Sequence, residues 1–220
     1  MIERPSPNHE PRPADTPIDM LVLHYTGMKT AEDALTRLCD PAAKVSAHYL
    51  IDEDGTVWRL VGEDRRAWHA GQAVWRGHAD VNGRSIGIEL VNPGHEFGYR
   101  DFPGAQMRAL IALARDILAR HPIPAGNVVG HSDVAPARKQ DPGELFDWRG
   151  LAQAGVGRWP SAVKPRGGDP LAQLAEYGYD LDDPPATIRA FQRHFRPARI
   201  DGAMDGECRA LLDGLLDAGA

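Results

Sequence analysis

An imidazole and a carboxylate ten residues apart bracket the loop that runs from Gly130-His131-Ser132-Asp133 to Ala137-Arg138-Lys139-Gln140-Asp141-Pro142-Gly143. A second imidazole, His24, ends the apolar run Met20-Leu21-Val22-Leu23 far upstream. Two histidines and one aspartate are three N/O ligands, enough for a tetrahedral zinc whose fourth position stays open to water, as in catalytic rather than structural sites. Such a set points to metal-assisted hydrolysis. The spacing is less specific than an H-E-x-x-H pattern, and a histidine at a strand end is more often a hydrogen-bonded core or surface residue. The residue types alone therefore leave both readings open.

Glu89 lies in Ser85-Ile86-Gly87-Ile88-Glu89-Leu90-Val91, where a period of two puts Ile86, Ile88 and Leu90 on one face and Glu89 on the other. It reads either as a solvent-facing strand residue or as a carboxylate at the metal. In the second case apolar neighbours raise its pKa, and it takes a proton from water and returns it to the leaving amine. Lys139 is likewise either a surface lysine or the stabiliser of a tetrahedral oxyanion. Trp68-His69-Ala70-Gly71 and Trp75-Arg76-Gly77 bring rings and donors to a Gly-rich turn. They fit ordinary packing, and they fit a sugar or peptide groove equally, with tryptophan faces on ring C–H groups and Arg or His on carboxylates. His69, Trp75 and Arg138 are the expected substrate contacts.

The elements that would hold these groups follow from periodicity and breakers. Pro5, Pro7, Pro11, Pro13 and Pro17 make residues 1–17 an extended arm. Strands are expected at Met20–His24, at Ala47–Ile51 and Thr56–Leu60 around an Asp52-Glu53-Asp54-Gly55 turn, at Ser85–Asn92 and at Val128–Gly130. A short helix is expected over Ala31–Leu38 and a longer amphipathic one over Pro103–Arg120, where Met107, Leu110, Ile111, Ala114, Ile117 and Leu118 recur at helical spacing. The run Gly155, Gly157, Pro160, Pro165, Gly167, Gly168 marks a linker over 155–169. After it come helices at Leu171–Tyr177, Pro185–His194 and Gly206–Leu216, the last capped by Asp205. The division is thus an arm, a catalytic domain over 18–154, the linker, and a helical unit over 170–220. About 50 residues are too few for a large independent core, so that unit packs on the first domain or is marginal alone.

With 220 residues, 42% hydrophobic and 25% charged, the chain reads as globular, and a formal charge of -6 supplies no Lys/Arg excess for nucleic acid. Two cysteines, Cys39 and Cys208, offer neither a disulfide framework nor a zinc ribbon. Met1 to Pro17 has no apolar h-region, no transmembrane segment is visible, and the expected location is the cytoplasm, with the periplasm or envelope as the alternative.

Several motifs, in order, resemble one family: Leu23-His24-Tyr25-Thr26, Ser46-Ala47-His48-Tyr49, Ala67-Trp68-His69-Ala70-Gly71, Ser85 to Leu90, and the Gly130–Gly143 loop. This is the family of zinc-dependent N-acetylmuramoyl-L-alanine amidases, the type-2 amidases related to peptidoglycan-recognition proteins, and within it the AmiD-like branch. The likeness runs on through Leu145-Phe146-Asp147-Trp148, Tyr177-Gly178-Tyr179-Asp180 and Ala190 to Pro197. It implies an α/β fold, a mixed β-sheet flanked by helices, with a small C-terminal all-α unit similar to peptidoglycan-binding domains. It further implies one Zn2+ held by His24, His131 and Asp141, Glu89 as general base and acid, and Lys139 as transition-state stabiliser. The implied substrates are muropeptides and other peptidoglycan fragments, cut between N-acetylmuramic acid (or its 1,6-anhydro form) and L-alanine.

Two departures stand out. Phage-type members carry a tyrosine just before the histidine that here is His48, and this chain has Ala47, so the proton work falls on Glu89. AmiD-like relatives are typically outer-membrane lipoproteins, whereas no lipid cysteine follows this N-terminus. The rival from another class is a recognition module that keeps the fold without the catalysis; retention of all three ligands with Glu89 and Lys139 disfavours it. Because every catalytic motif precedes the linker, residues after about 168 are expected to be dispensable for hydrolysis of small substrates.

Overall fold

A computed structural model describes residues 1–161, 163–164 and 167–217. Pro165 of the expected linker, and residues 218–220 of the expected helical unit, lie outside the described residues. In chain order the elements are β1 (Ile2–Glu3), β2 (His9–Pro11), β3 (Met20–Tyr25), α1 (Ala31–Cys39), β4 (Tyr49–Ile51), β5 (Val57–Arg59), β6 (Arg65–Ala67), α2 (Val81–Arg84), β7 (Ser85–Leu90), α3 (Gly94–Phe97), α4 (Gly104–Arg120), β8 (Val128–Gly130), α5 (His131–Val134), α6 (Trp148–Gln153), α7 (Pro170–Tyr177), α8 (Pro184–Phe195) and α9 (Gly206–Asp217).

Six strands form a mixed sheet in the order β1-β5-β4-β7-β3-β8. β3 lies between β7 and the edge strand β8 and is parallel to both, with His24 opposite Glu89 and Leu23 opposite Gly130. β4 pairs antiparallel with β5 through the Asp52 to Gly55 turn, which is closed by Asp52 N–H to Thr56 O at 2.9 Å. The alternation of side chains along β3 divides the core. Leu21 and Leu23 face a cluster filled by Leu110, Ala114 and Ile117 of α4 and by Trp148 and Leu151 of α6. Met20 and Val22 face the opposite cluster. Near the other edge, Leu50 of β4 meets Leu35 and Leu38 of α1. Gln106 locks α4 onto the sheet by donating to the carbonyls of Ile51 (2.9 Å) and Val91 (3.0 Å), which satisfies buried acceptors beyond the ladder.

One expectation changes. The N-terminal arm is extended, as its prolines require, but it is built into the sheets: β1 runs parallel to β5, and β2 pairs antiparallel with β6. Its anchor is Arg12, whose guanidinium donates to the carbonyls of Glu63 (2.8 Å), Gly83 (2.7 Å) and Ser85 (2.8 Å). Short strands paired to partners dozens of residues away leave no local periodicity for the sequence to display. The helical unit, in turn, has no core separate from the sheet. Leu174, Tyr177, Ala190, Phe191, Phe195 and Leu212 share one cluster with Met20, Val22, Trp75 and Val129. α7, α8 and α9 are capped by the carboxylates of Asp169, Asp183 and Asp205, each accepting a backbone N–H at 3.0 Å. Both cysteines are free thiols.

His48, fully buried behind β7, shows how the sheet treats a titratable group. Its Nδ1 accepts from Gly87 N–H at 2.9 Å, so the single ring proton sits on Nε2 and is donated to Arg65 O at 3.1 Å. Burial, and next the Arg12 charge, lower its pKa to about 3. The unfolded chain, near 6.5, then binds a proton that the native state excludes. Stability is full above about pH 6.5 and falls by about 1.4 kcal/mol per pH unit on acidification. His48→Asn keeps an acceptor for Gly87 and cannot titrate. Urea unfolding should show its stability, relative to the parent, improving by about 2 kcal/mol between pH 7 and pH 5; parallel pH profiles would remove His48 from the acid response.

Candidate metal centre and active site

His24, Glu89 and His131 are brought to one end of the sheet because β3, β7 and β8 are parallel and all three residues lie at or just past the carboxyl ends of their strands. Ligand crevices of open α/β sheets form there. The loop after α5 carries Asp141 back to the same point, held by Ser132 N–H to Asp141 O at 2.9 Å. His24 Nδ1, His131 Nδ1 and Asp141 Oδ2 each lie 3.0 Å from the other two. All three residues are buried.

The second nitrogen of each ring assigns the tautomers. His131 Nε2 lies 2.9 Å from the carbonyl of Ala70, which only accepts, so Nε2 carries the proton and Nδ1 presents a lone pair. His24 Nε2 meets His69 Nδ1 at 3.0 Å, and His69 Nε2 meets Ser85 Oγ at 3.1 Å. In the direction of that row in which His24 Nε2 donates to His69 and His69 Nε2 donates to Ser85 Oγ, His24 Nδ1 is a second lone pair. Burial, and then the neighbouring His131, lower the His24 pKa to about 4 and keep the ring neutral. Two lone pairs and a carboxylate oxygen converging at 3.0 Å repel one another unless a cation lies among them. Ligand atoms around a tetrahedral zinc, at bonds of about 2.0–2.1 Å, stand about 3.3 Å apart. Donor type and spacing thus fit a zinc.

A cleft of about 380 Å³ opens over these atoms, lined by Tyr25, Met28, Trp68, His69, Glu89, Arg138 and Lys139. Glu89 Oε2 is buried with no hydrogen-bond partner among the described residues. Burial, and then the Asp141 charge, raise the Glu89 pKa well above its ordinary value, while Lys139 acts the other way. A carboxylate stripped of partners beside a ligand cluster is set to exchange protons with a molecule the cleft admits.

The expected substrate contacts are placed differently from one another. Arg138 lines the cleft and donates to the carbonyls of Ala70 (3.0 Å) and Gln72, bracing the turn that holds His131. His69 lines it too, but both ring nitrogens are committed to His24 and Ser85, so it orients the His24 ring. Gly87 makes this possible: a Cβ there would come within 2.5 Å of the His69 ring. Trp75 lies outside the cleft, 1% exposed, its Nε1–H donated to Asn127 Oδ1 at 3.2 Å, its ring edge-on to Tyr177 and Tyr179. It packs the helical unit onto the sheet. Ser85 and the Ala70 carbonyl went unremarked in the sequence, where a serine opening a strand and a backbone oxygen carry no signal.

A mixed α/β sheet with three convergent N/O ligands beside an unpaired carboxylate is the apparatus of a mononuclear metal hydrolase. Residues 14–144 match the Amidase_2 family, N-acetylmuramoyl-L-alanine amidase. The chain belongs to that family. It is 42% identical to N-acetylmuramoyl-L-alanine amidase AmiD of Escherichia coli strain K12, over 91% of this chain and 83% of that protein. It is 40% identical to 1,6-anhydro-N-acetylmuramyl-L-alanine amidase AmpD of the same strain, over 66% of this chain and 86% of that one. E. coli AmiD, solved in complex with anhydro-N-acetylmuramic acid-L-Ala-D-gamma-Glu-L-Lys, superposes with a TM-score of 0.82 at 39% identity, covering 93% of this chain and 91% of that one. AmpDh3 of Pseudomonas aeruginosa with anhydromuramic pentapeptide gives 0.84 at 34%, covering 94% and 95%. No helix among the described residues is long and apolar enough to cross a membrane.

Proposed function

We propose that this chain hydrolyses the amide between the lactyl carboxyl of N-acetylmuramic acid, or of its 1,6-anhydro form, and the amino group of L-alanine in peptidoglycan fragments, with one zinc held by His24, His131 and Asp141. The observation that carries the reading is the unpartnered Glu89 Oε2 in the cleft above three convergent lone pairs. The substrates borne by AmiD and AmpDh3 support the choice of bond.

When bound, zinc polarises the scissile carbonyl and acidifies water to a pKa of about 7. Glu89 takes the proton of the attacking water. Its burial raises its proton affinity, so it keeps that proton until the alanine nitrogen departs and then delivers it there. Lys139, which lines the same cleft, supplies a positive charge to the oxyanion that forms on the carbonyl oxygen. His69 and the Ala70 carbonyl hold the two imidazoles in their ligating tautomers.

Lys139→Ala should lower kcat about 100-fold, with zinc content unchanged; near-native turnover would take Lys139 out of the mechanism. Mass spectrometry of products from a defined anhydro-muropeptide and from whole sacculi, run in parallel, tests the substrate. A free L-alanine amino terminus is the expected product, and cleavage at any other bond would contradict the reading. Fractionation of cells expressing the native gene tests the cytoplasmic location expected from the sequence, which recovery in the envelope would overturn.

A further inference from the structure

The turn that presents His131 is fixed from outside the catalytic part of the chain. Asp133, 1% exposed, has both carboxylate oxygens engaged. Oδ2 accepts the Gly130 N–H at 2.7 Å, inside the turn, and lies 2.7 Å from His194 Nδ1 of α8. Oδ1 accepts from the Tyr179 hydroxyl, also at 2.7 Å. A carboxylate only accepts, so His194 Nδ1 donates. Its ring is clamped flat between Trp148 and Phe195, centroids 3.8 Å away on both sides. Gly130 leaves no room for a side chain, since a Cβ there would meet Pro142 at 2.7 Å and Trp148 at 3.2 Å. Two residues of the helical unit, 46 and 61 positions beyond Asp133, thus complete the hydrogen bonding of the carboxylate that shapes the Gly130–His131 step.

We infer that Tyr179 and His194 are positioning residues for the metal site: through Asp133 they hold the Gly130–His131 turn so that His131 Nδ1 meets His24 and Asp141, which makes the helical unit a working part of the catalytic centre. The inference rests on the zinc reading above and goes beyond it, and it reverses the expectation that residues after about 168 are dispensable for small substrates. Were the unit removed, a buried carboxylate would lose two of its three donors, and such a group rearranges to find others.

The test is zinc affinity of the purified full chain by chelator competition, with thermal melts of the metal-free protein alongside. Outer partners of metal sites typically change affinity about 10–100-fold. His194→Phe keeps the flat stack and removes the donor; Tyr179→Phe removes one hydroxyl and leaves the packing, so it serves even if the first variant fails to fold. Each should weaken zinc binding about 10-fold or more. Leu212→Ala, in the same helical core and with an apolar side chain that offers Asp133 no hydrogen bond, is the control: it should lower the melting temperature and leave zinc affinity within about 2-fold of the parent. Native affinity in both Phe variants, or an equal loss in the control, would overturn the inference. Failure of the parent chain to bind zinc at all would instead remove the metal reading on which it rests.

Discussion

Glu89→Gln should retain one zinc per chain and lose about 10³-fold in kcat, because the amide keeps the shape of the side chain and cannot accept a proton. The same change should raise the melting temperature of the metal-free protein or leave it unaltered. Burial and the Asp141 charge both oppose ionisation of Glu89, and Oε2 has no partner among the described residues, so a neutral isostere relieves a penalty that the fold carries for its function. Steady-state kinetics, metal analysis and a thermal melt on one preparation check all three parts. Turnover within a few-fold of the parent would assign the proton transfer elsewhere.

His131→Ala should weaken zinc binding by more than about 100-fold, beyond the range of changes in outer partners. It removes one of the three proposed ligand atoms and frees the Ala70 carbonyl from its donor at 2.9 Å. Zinc should also raise the melting temperature of the parent and not of the variant, since a ligand stabilises only the state that binds it. Full occupancy in the variant, by metal analysis after dialysis, would refute the ligand assignment.

Much of this was legible in the residues. β3 begins where it was expected, at Met20, and α4 spans Gly104–Arg120 within the expected range, because apolar period and breakers are local signals. The alternation that set Glu89 apart from Ile86, Ile88 and Leu90 also holds, with the three apolar side chains in one cluster and Glu89 in the cleft. What stayed hidden depends on distant partners. Trp75 carries the aromatic surface of a sugar platform, and only the approach of Tyr177, Tyr179 and Asn127 makes it a core residue. Asp133 reads as an ordinary residue of the His131 loop until Tyr179 and His194 close on it. The arm read only as extended because its strands are three residues long or fewer, and its anchor, Arg12, binds backbone carbonyls that no side-chain pattern advertises.

The most direct test is hydrolysis of a defined anhydro-N-acetylmuramyl peptide in water enriched in oxygen-18 by metal-free protein, before and after one equivalent of zinc. The expected result is no turnover without metal. With zinc, cleavage should leave one heavy oxygen in the lactyl carboxylate and none in the released peptide, whose amino terminus is free alanine. Cleavage at the same rate without zinc, or no cleavage after stoichiometric loading, would contradict a single-zinc amidase built on His24, His131 and Asp141.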